Sequence, residues 1–256
     1  MRYAAEFYGR ISRDDVKGAV HTLLAELYFS TEFERDNGEN WYTVEDNETY
    51  TAHADYRFCD SSRVCHVRIV AENKQILASL AQTFASSADE YFDYWYCIAD
   101  TVGSQHSDRS FSNIHAIENM LRAYVFKKLV MAHGADWEEH LGLEPSRIAG
   151  ARKLRSRAAD VGAGEYLAKL NILFYLEFHD VIQLLERATD NNDPPGELFA
   201  EALVRQQLDE LNDLRAIRND IAHNRFLTEA AFQRVNRQTT AARRALEEDT
   251  KRLVSL

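Results

Sequence analysis

The chain is poor in cysteine, with Cys59, Cys65 and Cys97 the only three in 256 residues. An odd count, behind an N-terminus (Met1-Arg2-Tyr3-Ala4-Ala5-Glu6) that lacks the apolar stretch of a secretion signal, predicts reduced thiols in a cytoplasmic protein. Cys59 and Cys65 are spaced too widely for a zinc knuckle, and no second pair exists, so neither metal nor other cofactor is expected. Long hydrophobic runs are also missing. The longest candidate, residues 170–176, is broken by Asn171 and bounded by Glu177, far short of the ~20 residues of a membrane span, so no membrane association is expected.

Basic residues are outnumbered, 30 Lys+Arg against 41 Asp+Glu, for a net charge of −11. The deficit is uneven. Residues 1–107 carry a net −9 and residues 108–256 only −2. An acidic module is thus joined to a nearly neutral one. The latter holds a basic cluster, Arg147, Arg152, Lys153, Arg155 and Arg157, with no acid between Glu144 and Asp160. Such a cluster is either a footprint for phosphates or a solvated helix face.

Periodicity divides the chain in the same place. Tyr3, Ala5 and Phe7 alternate as a strand, and Asp14 and Asp15 open a helix whose stripe is Val16, Val20, Leu23, Leu24 and Leu27. Residues 49–58 put Tyr50, Ala52, Ala54, Tyr56 and Phe58 on one face. Cys65, Val67, Ile69 and Ala71 repeat that alternation. A helix capped by Asn73 buries Ile76, Leu77, Leu80 and Phe84, and Tyr94, Tyr96 and Ile98 form a last strand. The order β-α-β-β-α-β predicts a small antiparallel α/β sandwich over residues 1–103. Residues 102–112, small and polar, read as a linker. Helical periods follow: 113–133 with Ile114, Ile117, Leu121, Val125 and Leu129 inside, 164–188, one from about Glu197 through Ile221, and a last one from Thr228. Residues 191–196, with Pro194 and Pro195, mark a strong break, and the register between Trp137 and Asp160 is indistinct. The expected fold class is therefore α+β, the sandwich followed by an all-α helical bundle over 108–256.

The most informative stretch is Leu214-Arg215-Ala216-Ile217-Arg218-Asn219-Asp220-Ile221-Ala222-His223-Asn224-Arg225, at the end of an amphipathic helix. Arg218, the adjoining amide Asn219 and His223 five residues after the arginine resemble the signature of the HEPN superfamily. The resemblance covers residues 108–256. It implies a helical bundle, and in many members a metal-independent endoribonuclease working as a homodimer, in which two motifs line one cleft. It further implies a bacterial toxin or phage-defence effector, with an antitoxin or defence-system protein as partner and the acidic first module as sensor or regulator. HEPN toxins silenced by nucleotide transfer carry Tyr two residues after the motif histidine. That position is Arg225 here, which argues against this mode of inactivation.

The residues suit the chemistry. An imidazole, with an unperturbed pKa near 6.5, can take or give a proton at neutral pH, which fits His223 as base or acid. Arg218, always charged and fork-shaped, would clamp a phosphate and stabilise transition-state charge, with Asn219 orienting it. The nucleophile would be the 2′-hydroxyl of RNA, so DNA should be inert. Five residues of helix turn through about 500°, leaving Arg218 and His223 about 140° apart. Either the helix unwinds between them or a second chain completes the site.

Arg215 and Arg225 bracket the motif and could extend a phosphate strip. Glu118 and Arg122, at i, i+4, read first as a surface ion pair, or as a buried support for Arg218. Asp180 is a candidate internal partner for an arginine. Phe226 and Tyr175 are candidate base-stacking rings, with core packing as the simpler role for both. Two rival readings stand beside the nuclease: a non-catalytic HEPN dimerisation or binding module regulating a partner protein, and an RNA-binding first module. The second is disfavoured because that module has twice as many acids as bases and lacks the aromatic motif of RNA-recognition domains.

Overall fold

The computed structural model describes residues 2–11, 16–27, 35–36, 39–46, 50–59, 63–160, 170–186, 198–223 and 225–254. The chain is mixed α+β and divides into two compact units, residues 1–107 with 226–229, and residues 108–225 with 230–256.

Alternation builds the sheet of the first unit. Its strands are β1 (Tyr3–Arg10), β2 (Arg35–Asp36), β3 (Glu39–Asp46), β4 (Tyr50–Cys59), β5 (Val64–Ala71) and β6 (Tyr94–Asp100). They lie in the order β2-β3-β4-β5-β1-β6, each antiparallel to its neighbours. The four expected strands keep the split β-α-β order β4-β5-β1-β6. The hairpin strands β2 and β3 extend it at one edge and were not expected. Their signal is Asn37-Gly38, a typical two-residue hairpin dipeptide, followed by the β-formers Trp41, Tyr42, Thr43 and Val44. Ala5, Phe7, Ala52, Ala54, Tyr56, Cys65, Val67, Ile69 and Ala71 are buried, as the two-residue period requires. They pack with Val20, Leu23, Leu24 and Leu27 of α1 (Val16–Glu26) and Leu77 and Phe84 of α2 (Lys74–Tyr91). Asn73 caps α2, its side-chain oxygen accepting from the backbone N–H groups of Gln75 (2.7 Å) and Ile76 (3.4 Å). The expected cap at Asp14 and Asp15 lies outside the described residues. Gly9 is needed where it stands, because a Cβ there would sit 2.2 Å from the Phe92 ring.

The proposed linker is a correction. Residues 102–112 belong to one continuous helix, α3 (Thr101–His133). Asp100 caps it, accepting from the N–H groups of Val102 and Gly103 at 2.9 Å each. Three of its four serines donate back to carbonyls one turn earlier: Ser104 to Asp100 (2.7 Å), Ser107 to Gly103 (2.9 Å) and Ser112 to Asp108 (3.1 Å). The fourth, Ser110, is buried with no hydrogen-bond partner among the described residues.

The second unit has helices only among its described residues: the rest of α3, α4 (Pro145–Asp160), α5 (Phe178–Glu186), α6 (Leu208–Ala222) and α7 (Glu229–Val254). The α3 stripe Ile114, Ile117, Leu121, Val125 and Leu129 is buried, and one apolar core also takes in Val181, Ile182, Leu185, Leu211, Leu214, Val235 and Leu246. The indistinct stretch 134–160 resolves into a 3₁₀ turn, Gly134–His140, and then α4, with Pro145 at its first position. The single helix expected over 164–188 is also corrected. Part of that span, like the Pro194-Pro195 break, lies outside the described residues. The rest is a 3₁₀ turn, Ile172–Tyr175, then extended Leu176, then α5. Asn171 caps the turn, accepting from the Leu173 N–H at 3.1 Å. The motif helix begins at Leu208, not Glu197, because a 3₁₀ turn (Leu203–Gln207) precedes it. Buried Asp249 of α7 holds that turn, accepting from the N–H groups of Leu203 and Val204 at 2.9 Å each.

Glu118 and Arg122 are not a surface pair. They are 3% and 5% exposed, with Arg122 Nη2 at 2.6 Å from Glu118 Oε1. Arg122 also donates from Nε to the Leu173 carbonyl (2.8 Å) and from Nη2 to that of Leu176 (2.9 Å). The guanidinium thus takes carbonyls that a continuous helix would have used itself. Removing one member strands a buried charge, so Arg122→Ala should destabilise the chain by about 3–5 kcal/mol. Glu118→Leu combined with Arg122→Met should cost clearly less in urea unfolding; a double variant as unstable as Arg122→Ala would refute this account.

The thiols behave as buried groups. Burial pushes Cys65 up to about 12. Cys97 is raised to about 11, by burial first and then by the nearby Asp100 carboxylate, against one hydrogen bond to the Ala99 carbonyl. At pH 8 such a thiol is about 0.1% thiolate, against roughly 25% for an ordinary cysteine. Its higher intrinsic nucleophilicity recovers part of that loss. Iodoacetamide labelling of Cys97, followed by mass spectrometry, should therefore run roughly tenfold slower than in the urea-unfolded chain, although the residue is exposed.

Candidate functional site

The motif sits at the C-terminal end of α6, and the helix does not unwind before it. Helical backbone continues through Ala222, and His223 is the C-cap, with φ −94° and ψ 21°. Its amide reaches the carbonyls of Asn219 and Asp220 at 3.1 Å each. Leu211 and Leu214, seven and four residues before Arg218 and therefore on its side of the helix, anchor α6 in the core, and α6 packs on α5.

An intact helix holds Arg218 and His223 about 140° apart. Their surroundings match: Arg218 is half-buried and His223 exposed. Among the described residues no hydrogen bond or ion pair joins them. The Arg218 Nε is buried without a hydrogen bond, while its Nη1 lies 3.5 Å from Asn219 Oδ1, at the outer limit of a hydrogen bond. The stem of the side chain is packed and, among the described residues, the charged tip has no firm partner. Asn219 is exposed beside it.

The flanking residues behave differently. Arg215, one turn before Arg218, places Nη1 at 2.9 Å from Nδ1 of His179 on α5. A guanidinium only donates, so that nitrogen accepts and the imidazole carries its proton on Nε2. His179 was not anticipated, because 36 residues separate it from Arg215 and no local pattern links them. Arg225 folds back onto its own helix end, with Nη1 at 2.5 Å from Asp220 Oδ1, both side chains exposed. The phosphate strip expected from Arg215 and Arg225 is therefore not laid out: each guanidinium has a partner within the chain.

The supporting residues lie elsewhere in the core. Glu118 and Arg122 hold the Ile172–Tyr175 turn and make no bond to Arg218. Asp180 is 3% exposed and does pair with an arginine, Arg147 of α4, while accepting the Glu177 N–H at 3.1 Å. Three of the five basic residues of the α4 cluster are engaged by two acids. Arg152 and Arg155 both face Glu138, at 3.8 and 2.9 Å. Tyr175 packs against the core, and Phe226 is 37% exposed.

Among the described residues, no group of three or more His, Cys, Asp or Glu side chains is arranged to hold a metal ion, and no helix is long and apolar enough to cross a membrane. The motif can offer a fixed positive charge, an amide and an exposed imidazole at one helix end. In comparison with known proteins, the chain matches no family model, no curated sequence and no solved structure.

Proposed function

We propose that the second unit is a metal-independent endoribonuclease of the HEPN type, acting as a homodimer in a toxin or phage-defence role. One observation carries the reading. Among the described residues, the charged tip of Arg218 has only a marginal contact with Asn219 and the imidazole of His223 has no hydrogen bond, at the end of a helix that stays intact between them. Their divergence is what two facing copies, each supplying one motif to a shared cleft, would resolve.

In that cleft one His223 takes the proton of an RNA 2′-hydroxyl, and the oxygen attacks the adjacent phosphorus. As the O2′–P bond forms, the P–O5′ bond breaks, and the departing 5′-oxygen takes its proton from the second protomer's imidazole. Arg218 clamps the phosphoryl oxygens as charge builds on them, and Asn219 orients the group. The products are a 2′,3′-cyclic phosphate and a 5′-hydroxyl end. The acidic first unit serves as sensor or regulator.

Cleavage of total RNA by the purified chain should persist in EDTA and leave cyclic phosphate ends. His223→Ala should lower it at least a hundredfold, the scale of a positioned acid–base group. Strict dependence on added magnesium, or RNA left equally intact by wild type and His223→Ala, would favour the non-catalytic assembly module instead.

The shared cleft makes a sharper prediction. The reaction uses an imidazole from each protomer, so a heterodimer of wild-type and His223→Ala chains lacks one of them. Random exchange with an equal amount of the His223→Ala chain should then lower wild-type cleavage to roughly half. Cleavage unchanged by the mixture, or full activity from a monomer by light scattering, would refute the two-chain arrangement.

A further inference from the structure

Helix α5 meets two arginines through neighbouring residues, and it answers them differently. Asp180 presents a carboxylate to Arg147 of α4. His179, one residue earlier, offers Arg215 of α6 only the lone pair of Nδ1, at 2.9 Å. A hydrogen bond of that kind fixes a guanidinium without adding negative charge. Arg215 is thus held but not neutralised.

Arg218 continues the pattern one turn further along α6. Three residues of helix leave the two side chains about 60° apart round the axis, so they project as neighbours. Both residues are half-buried, and in each the Nε–H is buried without a hydrogen-bond partner among the described residues. Burial has therefore partly dehydrated two like charges. No described carboxylate reaches ion-pairing distance of either guanidinium. The acids of α5 and α6 are engaged elsewhere: Asp180 with Arg147, Asp220 with Arg225, Asp213 with Gln238 (3.1 Å) and Glu186 with Asn212 (2.9 Å). Asp209 and Glu210 lie in the first turn of α6, at the far end from Arg218. Arg122 and Arg155, by contrast, each pair with a glutamate.

Two partly dehydrated cations side by side, without a counter-charge from the fold, weaken the folded state, and an anion seated on both relieves that repulsion. Their planar forks suit the several oxygens of a phosphate. We propose that Arg215 and Arg218 together hold one phosphate group, and that His179 is the positioning residue that orders Arg215 while sparing its charge. Arg215 thereby assists Arg218 without replacing it. That the phosphate belongs to RNA rests on the nuclease reading; the uncompensated pair of cations does not.

The substitutions His179→Asn and His179→Asp separate the contact from the charge. Both lose the ring and both can set an oxygen near the position of Nδ1, but only His179→Asp adds a negative charge against Arg215. They are compared in the full-length chain carrying His223→Ala, so that no RNA is cut. Inorganic phosphate, against chloride at matched ionic strength, should raise the Tm of the parent and of His179→Asn more than that of His179→Asp. The general stabilisation that phosphate salts give any folded protein is common to all three chains. A short fluorescein-labelled single-stranded RNA, followed by anisotropy, should bind His179→Asp roughly tenfold more weakly than His179→Asn, the scale of a charge-assisted contact. If His179 served packing alone, the two substitutions would bind alike.

An equal Tm response of His179→Asn and His179→Asp to phosphate overturns the proposal. Where either substitution fails to fold, Arg215→Gln decides, and a phosphate response equal to the parent's overturns it as well. A differing phosphate response with RNA bound equally by both overturns the assignment of the phosphate to RNA. Because cleavage is not read, failure of the nuclease reading leaves the phosphate comparison intact.

Discussion

Among the described residues of the second unit, Arg122 is the one arginine or lysine buried in the core, and its guanidinium ties two elements together. It joins α3 to the two carbonyls that end the Ile172–Tyr175 turn, and the balancing Glu118 stands one helical turn away on α3 itself. The cost of dehydrating this ion pair is offset only because three acceptors surround the guanidinium at hydrogen-bond distance. Its consequence is directional. With the chain turned at Leu176, α5 starts afresh at Phe178, and α6 packs against α5. The candidate site at the end of α6 is thus positioned through a contact in which no motif residue takes part.

A second constraint is angular. Each helical residue advances about 100°, so a five-residue spacing can bring two side chains together only where the helix breaks. Here it does not break until His223 itself, whose amide closes onto Asn219 and Asp220. The C-cap therefore has a role beyond ending the helix. By holding the backbone to Ala222 it keeps the imidazole exposed and directed away from Arg218, so proton transfer and charge stabilisation must come from groups on different chains if both act on one phosphate. Arg215 and Arg225 cannot substitute, since His179 and Asp220 already engage them. Among the described motif residues, the groups left without a firm partner are one guanidinium tip, one amide and one imidazole per chain.

Much of the fold was legible in the residues. Ala52, Ala54 and Tyr56, and again Cys65, Val67 and Ile69, show the two-residue period that sheet burial demands, and Asn73 announces a helix that it caps. The failures have particular causes. The serines of residues 102–112 resemble a linker until the hydroxyls of Ser104, Ser107 and Ser112 are seen returning to backbone carbonyls. The turn at residues 172–175 arises from an arginine some fifty positions away, which no local window can register. Glu118 and Arg122 are visible as an i, i+4 pair, but helical spacing says nothing about which face is buried. At the candidate site, the motif residues and their angular conflict could be derived from spacing alone. Whether the helix unwinds between them could not, because helix continuity depends on the cap.

The charge of the chain bears on how an RNA substrate would be held. A net −11 repels a polyanion at long range. At physiological ionic strength that repulsion fades over about 8 Å, so a bound strand responds mainly to the charges it lies against. At the end of α6 the cation that no described residue firmly engages is the tip of Arg218, since His179 and Asp220 hold Arg215 and Arg225. A strand bound there would therefore meet the chain's net charge with one such guanidinium per protomer.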